Sequence, residues 1–297
     1  NCRAWNTRRQ FTQKRNQSNL RTQNAGYWKP AGPLKIRQNN GSKGHDVTNV
    51  YSIDQSLTNP DILYCGTEPG EVYKTTDAGQ NWFRVSLQED FGGGVTAIKI
   101  DPQNPQIVFA GSDRFLFKTT DGGQTWANCL SVNGLGVNEI WIHPNQPSII
   151  WVASNAGLFV STDQGITFTL KLPNACYDLK ANPLNPATLY LVRNNPQAKI
   201  CEFWLSEDTG QNWTNQTNGW FQSNDPNRND GGARIGVTPA DTSRIYVYLI
   251  GEAKANDAGF IGVFRSNDRG ANWILPNAPA GGPYTPAHPN LAYGTPG

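Results

Sequence analysis

One eight-residue pattern occurs five times in this chain of 297 residues: TTDAGQNW at 75–82, TTDGGQTW at 119–126, STDQGITF at 161–168, SEDTGQNW at 206–213 and SNDRGANW at 266–273. Its form is [ST]-x-D-x-G-x-[NT]-[WF], and its starts lie 44, 42, 45 and 60 residues apart. A fixed period of this length marks a unit that cannot bury its faces alone and must stack on copies of itself. The second unit shows what each one contains. VTAIKI (95–100) is followed by DPQNP, then QIVFAG (106–111), a short turn, FLFK (115–118), the pattern, and a chain leaving through Trp126. Short β-branched and aromatic runs separated by Pro, Asn and Gly read as four strands. The first turns of the other units fall at 54–60, 143–147, 182–186 and 238–242. Four strands in roughly 44 residues is the period of a β-propeller blade.

The pattern reads as a tight hairpin between the third and fourth strands. Its Asp accepts N–H groups of its own turn, its Gly allows a positive φ, and its Trp or Phe packs beneath the hairpin. Composition agrees: charged residues make up only 16 %, while Gly (30) and Pro (20) supply turns. In this form the five copies resemble Asp-box (BNR) repeats. Such repeats occur in sialidases, xyloglucanase-type glycoside hydrolases, sortilin-type receptor ectodomains and photosystem II assembly propellers. The resemblance covers residues 47–275 and implies that Asp77, Asp121, Asp163, Asp208 and Asp268, with Trp82, Trp126, Phe168, Trp213 and Trp273, are structural. The segment WKPAGP (28–33) before the repeats is similar to that of large secreted proteins of Bacteroidetes exported by type IX secretion. No C-terminal sorting domain is visible.

The expected fold is therefore all-β, a propeller of four-stranded antiparallel blades. Five blades are visible, at about 47–88, 95–132, 136–172, 175–217 and 231–275, after a basic arm (1–46) and before a Pro/Gly-rich tail (276–297). That tail carries no sixth box. The chain begins at Asn1 and contains no Met, so it does not read as a translation start. Because propellers of the resembled family commonly have six to eight blades, it is expected to be the N-terminal portion of a longer protein. A self-contained five-bladed ring is the alternative.

Charge divides the chain. Residues 1–45 hold ten basic and no acidic residues, and the remaining 15 basic and 23 acidic residues give the rest a balance of −8. The arm is expected to pack on the acidic body. An anionic surface met through Arg8, Arg9, Lys14 and Arg15 is the other reading. No nucleic-acid motif and no apolar run of 18 residues occurs. The cysteines (Cys2, Cys65, Cys129, Cys176, Cys201) lack metal-ligand spacing. Buried free thiols are expected, with Cys176–Cys201 the best candidate for a disulfide if one forms. No cofactor and no metal is expected.

Strand connectivity puts the box hairpins on one face of the ring and the loops 67–71, 112–114, 155–157, 193–199 and 251–259 on the other, where function is expected. The fifth blade has two insertions there, 215–230 and 251–259. These supply the candidate ligand contacts Trp220, Phe221, Asp225, Arg228, Asp230, Glu252 and Lys254. Trp220 and Phe221 are expected to plug the channel or cover a neighbouring blade, with stacking on a sugar ring the alternative. Glu68 is the one candidate catalytic group, because it follows the second strand of blade 1, where xyloglucanase-type enzymes place an acid. Those enzymes need a second carboxylate from a second propeller. The arginine triad of sialidases is missing: KIR (35–37) lacks both the Phe and the Pro of their motif. The expected function is an extracellular, non-enzymatic scaffold or binding module in a cell-surface assembly, with a protein partner or a glycan. A glycosidase lacking its second half is the alternative, and an assembly factor docking on a larger complex is the next.

Overall fold

The computed structural model describes residues 49–221, 232–252 and 260–276. Five antiparallel sheets follow one another, each in strand order first to last. Blade 1 comprises Val50–Gln55, Leu63–Thr67, Val72–Thr75 and Phe83–Arg84. Blade 2 comprises Val95–Ile100, Val108–Ser112, Phe115–Thr119 and Ala127–Ser131, and blade 3 Val137–Ile142, Ile150–Ser154, Gly157–Ser161 and Thr169–Leu172. Blade 4 comprises Cys176–Asn182, Asn185–Asn195, Ile200–Ser206 and Thr214–Asn215. Blade 5 has three strands, Gly232–Val237, Ile245–Ile250 and Phe260–Ser266, and a bridge from Arg265 to Ile274 stands for its fourth. The first strands of successive blades lie side by side and form the channel wall. The result is a partial propeller, an arc of five blades. Among the described residues, no helix is long and apolar enough to cross a membrane.

The box hairpin is built identically five times, and each fixed letter of the pattern has a task. The leading Ser or Thr hydroxyl donates to the Asp carboxylate at 2.7–2.8 Å and accepts the Gly N–H at 2.8–3.0 Å. The same Oδ1 accepts the backbone N–H of the Asn or Thr at 2.8–2.9 Å, and Oδ2 accepts that residue's side chain at 2.6–2.7 Å. Two successive residues take positive φ: 56–73° at Ala78, Gly122, Gln164, Thr209 and Arg269, then 78–94° at the box Gly. Left-handed backbone is costly for residues with a Cβ, and the bonds converging on each Asp hold it there. In every blade the hairpin also hydrogen-bonds the turn between the first and second strands, as Gly122 N–H does to Gln106 O at 2.9 Å. Both turns therefore share one face of the arc.

Those first turns start on Ser56, Asp101, His143, Asn182 and Thr238, each of whose side chains accepts N–H groups two or three residues on. His143 thus performs the work of an Asp or Asn, and burial lowers its pKa, which keeps the accepting imidazole neutral. Apolar residues gather into four clusters, one at each of the four blade–blade interfaces. Core formation here belongs to the interfaces, because a single sheet has two faces and no layer of its own to cover them. Cys65, Cys129, Cys176 and Cys201 are free thiols, so the proposed Cys176–Cys201 bridge is absent. Cys176 and Cys201 fill different interfaces, one between blades 3 and 4 and the other between blades 4 and 5.

Candidate functional site

Trp220 and Phe221 are 4 % and 5 % exposed and belong to the core between blades 4 and 5. The Trp220 ring lies 4.8 Å from Trp273 and 5.6 Å from Phe264, and its Nε1–H donates to Cys201 O at 2.8 Å. Neither ring has a free face for a sugar; they cover a neighbouring blade, the favoured of the two expectations. The same arrangement exists in blade 2, where Phe91 sits 4.5 Å from Phe117 and 5.7 Å from Trp126. An aromatic in the inter-blade link wedges between the third-strand Phe and the box Trp. Phe91 was the sequence signal for this role, because it precedes its blade as Trp220 does. Glu252 is exposed at the edge of its insertion. Asp225, Arg228, Asp230 and Lys254 lie outside the described residues, as do Cys2 and the arm with Arg8, Arg9, Lys14 and Arg15.

Glu68 is exposed in the turn after the second strand of blade 1, on the face opposite the boxes. Its Oε2 accepts the Asn49 amide at 2.6 Å. The half-exposed Tyr51 ring lies beside it, pressed against Gly94, where a Cβ would stand 2.7 Å from Tyr51 Cε2. Desolvation, a hydrogen bond with Glu68 and the charges of Glu68 and Asp113 hold the Tyr51 phenol above its ordinary pKa. This is a small acidic and aromatic patch at the channel rim, built where three loops converge on Gly92, Gly93 and Gly94.

The other end of the channel holds a cavity of about 320 Å³. Its wall is the half-buried Trp141 with Leu57 and prolines from three successive first turns (Pro102, Pro144, Pro183), and its polar edge is Lys99, Lys180 and Asp54. The charges are paired: Lys99 Nζ meets Asp54 at 3.0 Å, and Lys180 Nζ meets Glu139 at 2.6 Å and Asp178 at 3.1 Å. Burial pulls Lys180 down, but Glu139 and Asp178 outweigh it and keep the ammonium charged. The buried Asp178 also accepts the backbone N–H of Ile235 at 2.8 Å, tying blade 5 to blade 4. Glu71 and Glu202, buried nearer the rim, are likewise bound by Arg84 and Tyr73, and by Trp204 and Asn195. These carboxylates hold the scaffold together. Trp141 went unnoticed in the sequence because it occupies an ordinary strand position in WIHP (141–144), and only ring geometry exposes it to the channel. Among the described residues, no three His, Cys, Asp or Glu come together as a metal site.

No family model matches the chain. Over 102 residues it is 28 % identical to a protein of Neosartorya fischeri described as a probable oligoxyloglucan-reducing end-specific xyloglucanase, which covers 33 % of this chain and 11 % of that protein. The chain therefore spans about a tenth of that relative. Among solved structures, the GH74 xyloglucanase of Xanthomonas campestris is similar at a TM-score of 0.59 and 16 % identity, covering 77 % of this chain and 38 % of that one. The GH74 enzyme of Niastella koreensis gives 0.56 and 22 %, covering 77 % and 31 %. YCF48 bound to a D1 peptide gives 0.51 and 16 %, covering 76 % and 68 %. At these identities the structural likeness shows the fold alone.

Proposed function

We propose that this arc belongs to an extracellular, non-enzymatic binding module of a cell-surface assembly, and that it takes its ligand at the channel. The observation that carries this reading is the Trp141 cavity. It offers an apolar ring, a proline-lined wall and a few fixed polar groups, the usual make-up of a binding site, while its one lining carboxylate, Asp54, is paired with Lys99. Glycosidic hydrolysis needs two carboxyl groups placed across the bond, one of them kept protonated. Glu68, Asn49 and Tyr51 add a second polar contact at the opposite rim, and Glu252 with the insertion 251–259 extends that rim. The partial identity to a xyloglucanase makes a xyloglucan oligosaccharide the first ligand to try.

The experiment is a calorimetric titration of the chain with such oligosaccharides, with a reducing-end assay run in parallel. Binding without release of reducing ends is expected, weakened by Trp141→Ala and not by Glu252→Gln. Absence of binding, or binding indifferent to Trp141, refutes the channel reading. The same partial identity favours a second reading, in which Glu68 is one of a pair of acids of a glycosidase completed by further sequence. In that case reducing ends appear, and Glu68→Gln stops their release while binding persists.

A further inference from the structure

Each blade passes the next one the same socket. The second-strand residue that follows the partner of the box Ser or Thr is always aromatic: Tyr64, Phe109, Trp151 and Tyr190 are 0, 1, 3 and 0 % exposed. What covers them is the box hairpin of the following blade. Tyr64 Oη–H donates to Gly122 O at 3.1 Å. A Cβ on Gly165 would stand 2.6 Å from the Phe109 ring, and Gly210 lies against the Trp151 ring. Tyr190 stacks on Phe203, whose ring would stand 2.5 Å from a Cβ on Gly270. Gly165, Gly210 and Gly270 are thus required twice, once for their φ and once because an aromatic of the preceding blade occupies the space of a side chain; at Gly123 that space is held by Val85.

In blades 1 and 2 a cation reinforces the socket, whereas Val160 and Leu205 stand opposite the aromatic in blades 3 and 4. In strand register Tyr64 faces Lys74 and Phe109 faces Lys118. Lys74 Nζ lies 5.3 Å over the Tyr64 ring and donates to Gly122 O at 3.1 Å. Lys118 Nζ lies 5.6 Å over the Phe109 ring and donates to Gln164 O at 2.7 Å. Both acceptors are the carbonyl just before the box glycine.

A third position sets the fit at the channel end. Two residues after the aromatic, Gly66 packs on Val95 and Gly111 on Val137, the heads of the next first strands. Ala153 shares its interface with Cys176, and Val192 shares its interface with Ala233. As the receiving residue grows from Gly to Ala to Val, the entering one shrinks from Val to Cys to Ala.

Blade 5 carries residues at all three positions, and its two tyrosines there are exposed. Tyr246 holds the aromatic position and is 39 % exposed, and Tyr248 holds the third position and is 38 % exposed. Arg265 faces Tyr246 in register, and its Nε is buried without a hydrogen-bond partner among the described residues. We propose that this face is the receptor for the box hairpin of a further blade of the same polypeptide. Tyr246 covers the glycine of that hairpin, Arg265 donates to the carbonyl before it, and Tyr248 admits a glycine at the head of the entering first strand. The surface continues an interface already made four times between blades joined in one chain, which supplies a high effective concentration. A second copy of this chain fits worse, because its blade 1 would present Val50, in register opposite Thr67 as Val95 is opposite Ser112, against the bulk of Tyr248.

The test is tyrosine nitration read by peptide mass spectrometry. It compares the 297-residue chain with one extended after Gly297 by a copy of residues 89–132 carrying Val95→Gly. Tyr246 should be nitrated in the unextended chain and protected in the extended one as Tyr64 and Tyr190 are. The protection should weaken when the extended chain carries Arg265→Ala, and when its copy keeps Val95. A synthetic hairpin of residues 115–131 supplies a second probe should the copied blade not fold. It should slow Tyr246 nitration in the wild-type chain and not in the Arg265→Ala variant. Failure of both probes to protect Tyr246 overturns the proposal. So does a Tyr246 already protected in the unextended chain. Protection that is lost on dilution would make the occupant a second copy, and protection independent of concentration would make it a segment of this chain.

Discussion

Replacing Trp220 with alanine separates a packing role from a ligand-binding one. The side chain is buried and wedged among Phe203, Phe264 and Trp273. Removing about 200 Å² of buried aromatic surface at about 25 cal/mol per Å² gives roughly 5 kcal/mol. Alanine and partial collapse of the site recover some of that, so a loss of about 4 kcal/mol is expected, within the usual range for such truncations. For a domain of this size that is a fall in Tm of roughly 8–16 °C. Trp220→Phe keeps most of the ring contacts and loses the bond to Cys201 O, which should cost only about 1 kcal/mol. Thermal unfolding followed by circular dichroism, with urea denaturation as a second measure, reads both. A folded Trp220→Ala protein melting within about 2 °C of wild type would sink the packing argument, and more so if ligand affinity had vanished.

Thr119→Val is nearly isosteric and leaves the buried Gly123 N–H without its acceptor. It should cost about 1–3 kcal/mol in urea denaturation without changing ligand affinity, and an unchanged midpoint would count against the hairpin account. The Asn81 backbone N–H, the Asn81 amide and the Thr75 hydroxyl hold Asp77 down to about 2. A carboxyl lowered on folding stabilises above its ordinary pKa of about 4 and loses that contribution as pH falls towards about 2. Acid titration of Tm should therefore show steep loss between those limits, and a flat profile would contradict it. Burial pushes Cys65, Cys129 and Cys176 up to about 12, and Cys201 further in the same direction. These thiols should ignore a disulfide reagent at pH 8 until the protein is unfolded, and fast native labelling at any of them would be a failure.

The hairpins, the four-strand units and the all-β class were legible because the interactions that make them are local. The box closes its hydrogen bonds within eight residues, and pleat alternation has a period of two, so a short window of sequence contains both the cause and the result. Which interface Trp220, Cys176 and Cys201 fill, and the exposure of Trp141 to the channel, were not legible. Each is decided by a neighbouring blade some forty or more residues away, whose side chains either cover the group or leave it in the channel. Trp220 and Phe221 stand in a polar stretch that reads as a loop, and only the stacking of blade 5 on blade 4 turns them inward. Tyr246 makes the same point in reverse. Its strand position repeats that of Tyr64 and Tyr190, so sequence alone would bury it. Whether a hairpin lies over that position is a property of the arc, not of the strand.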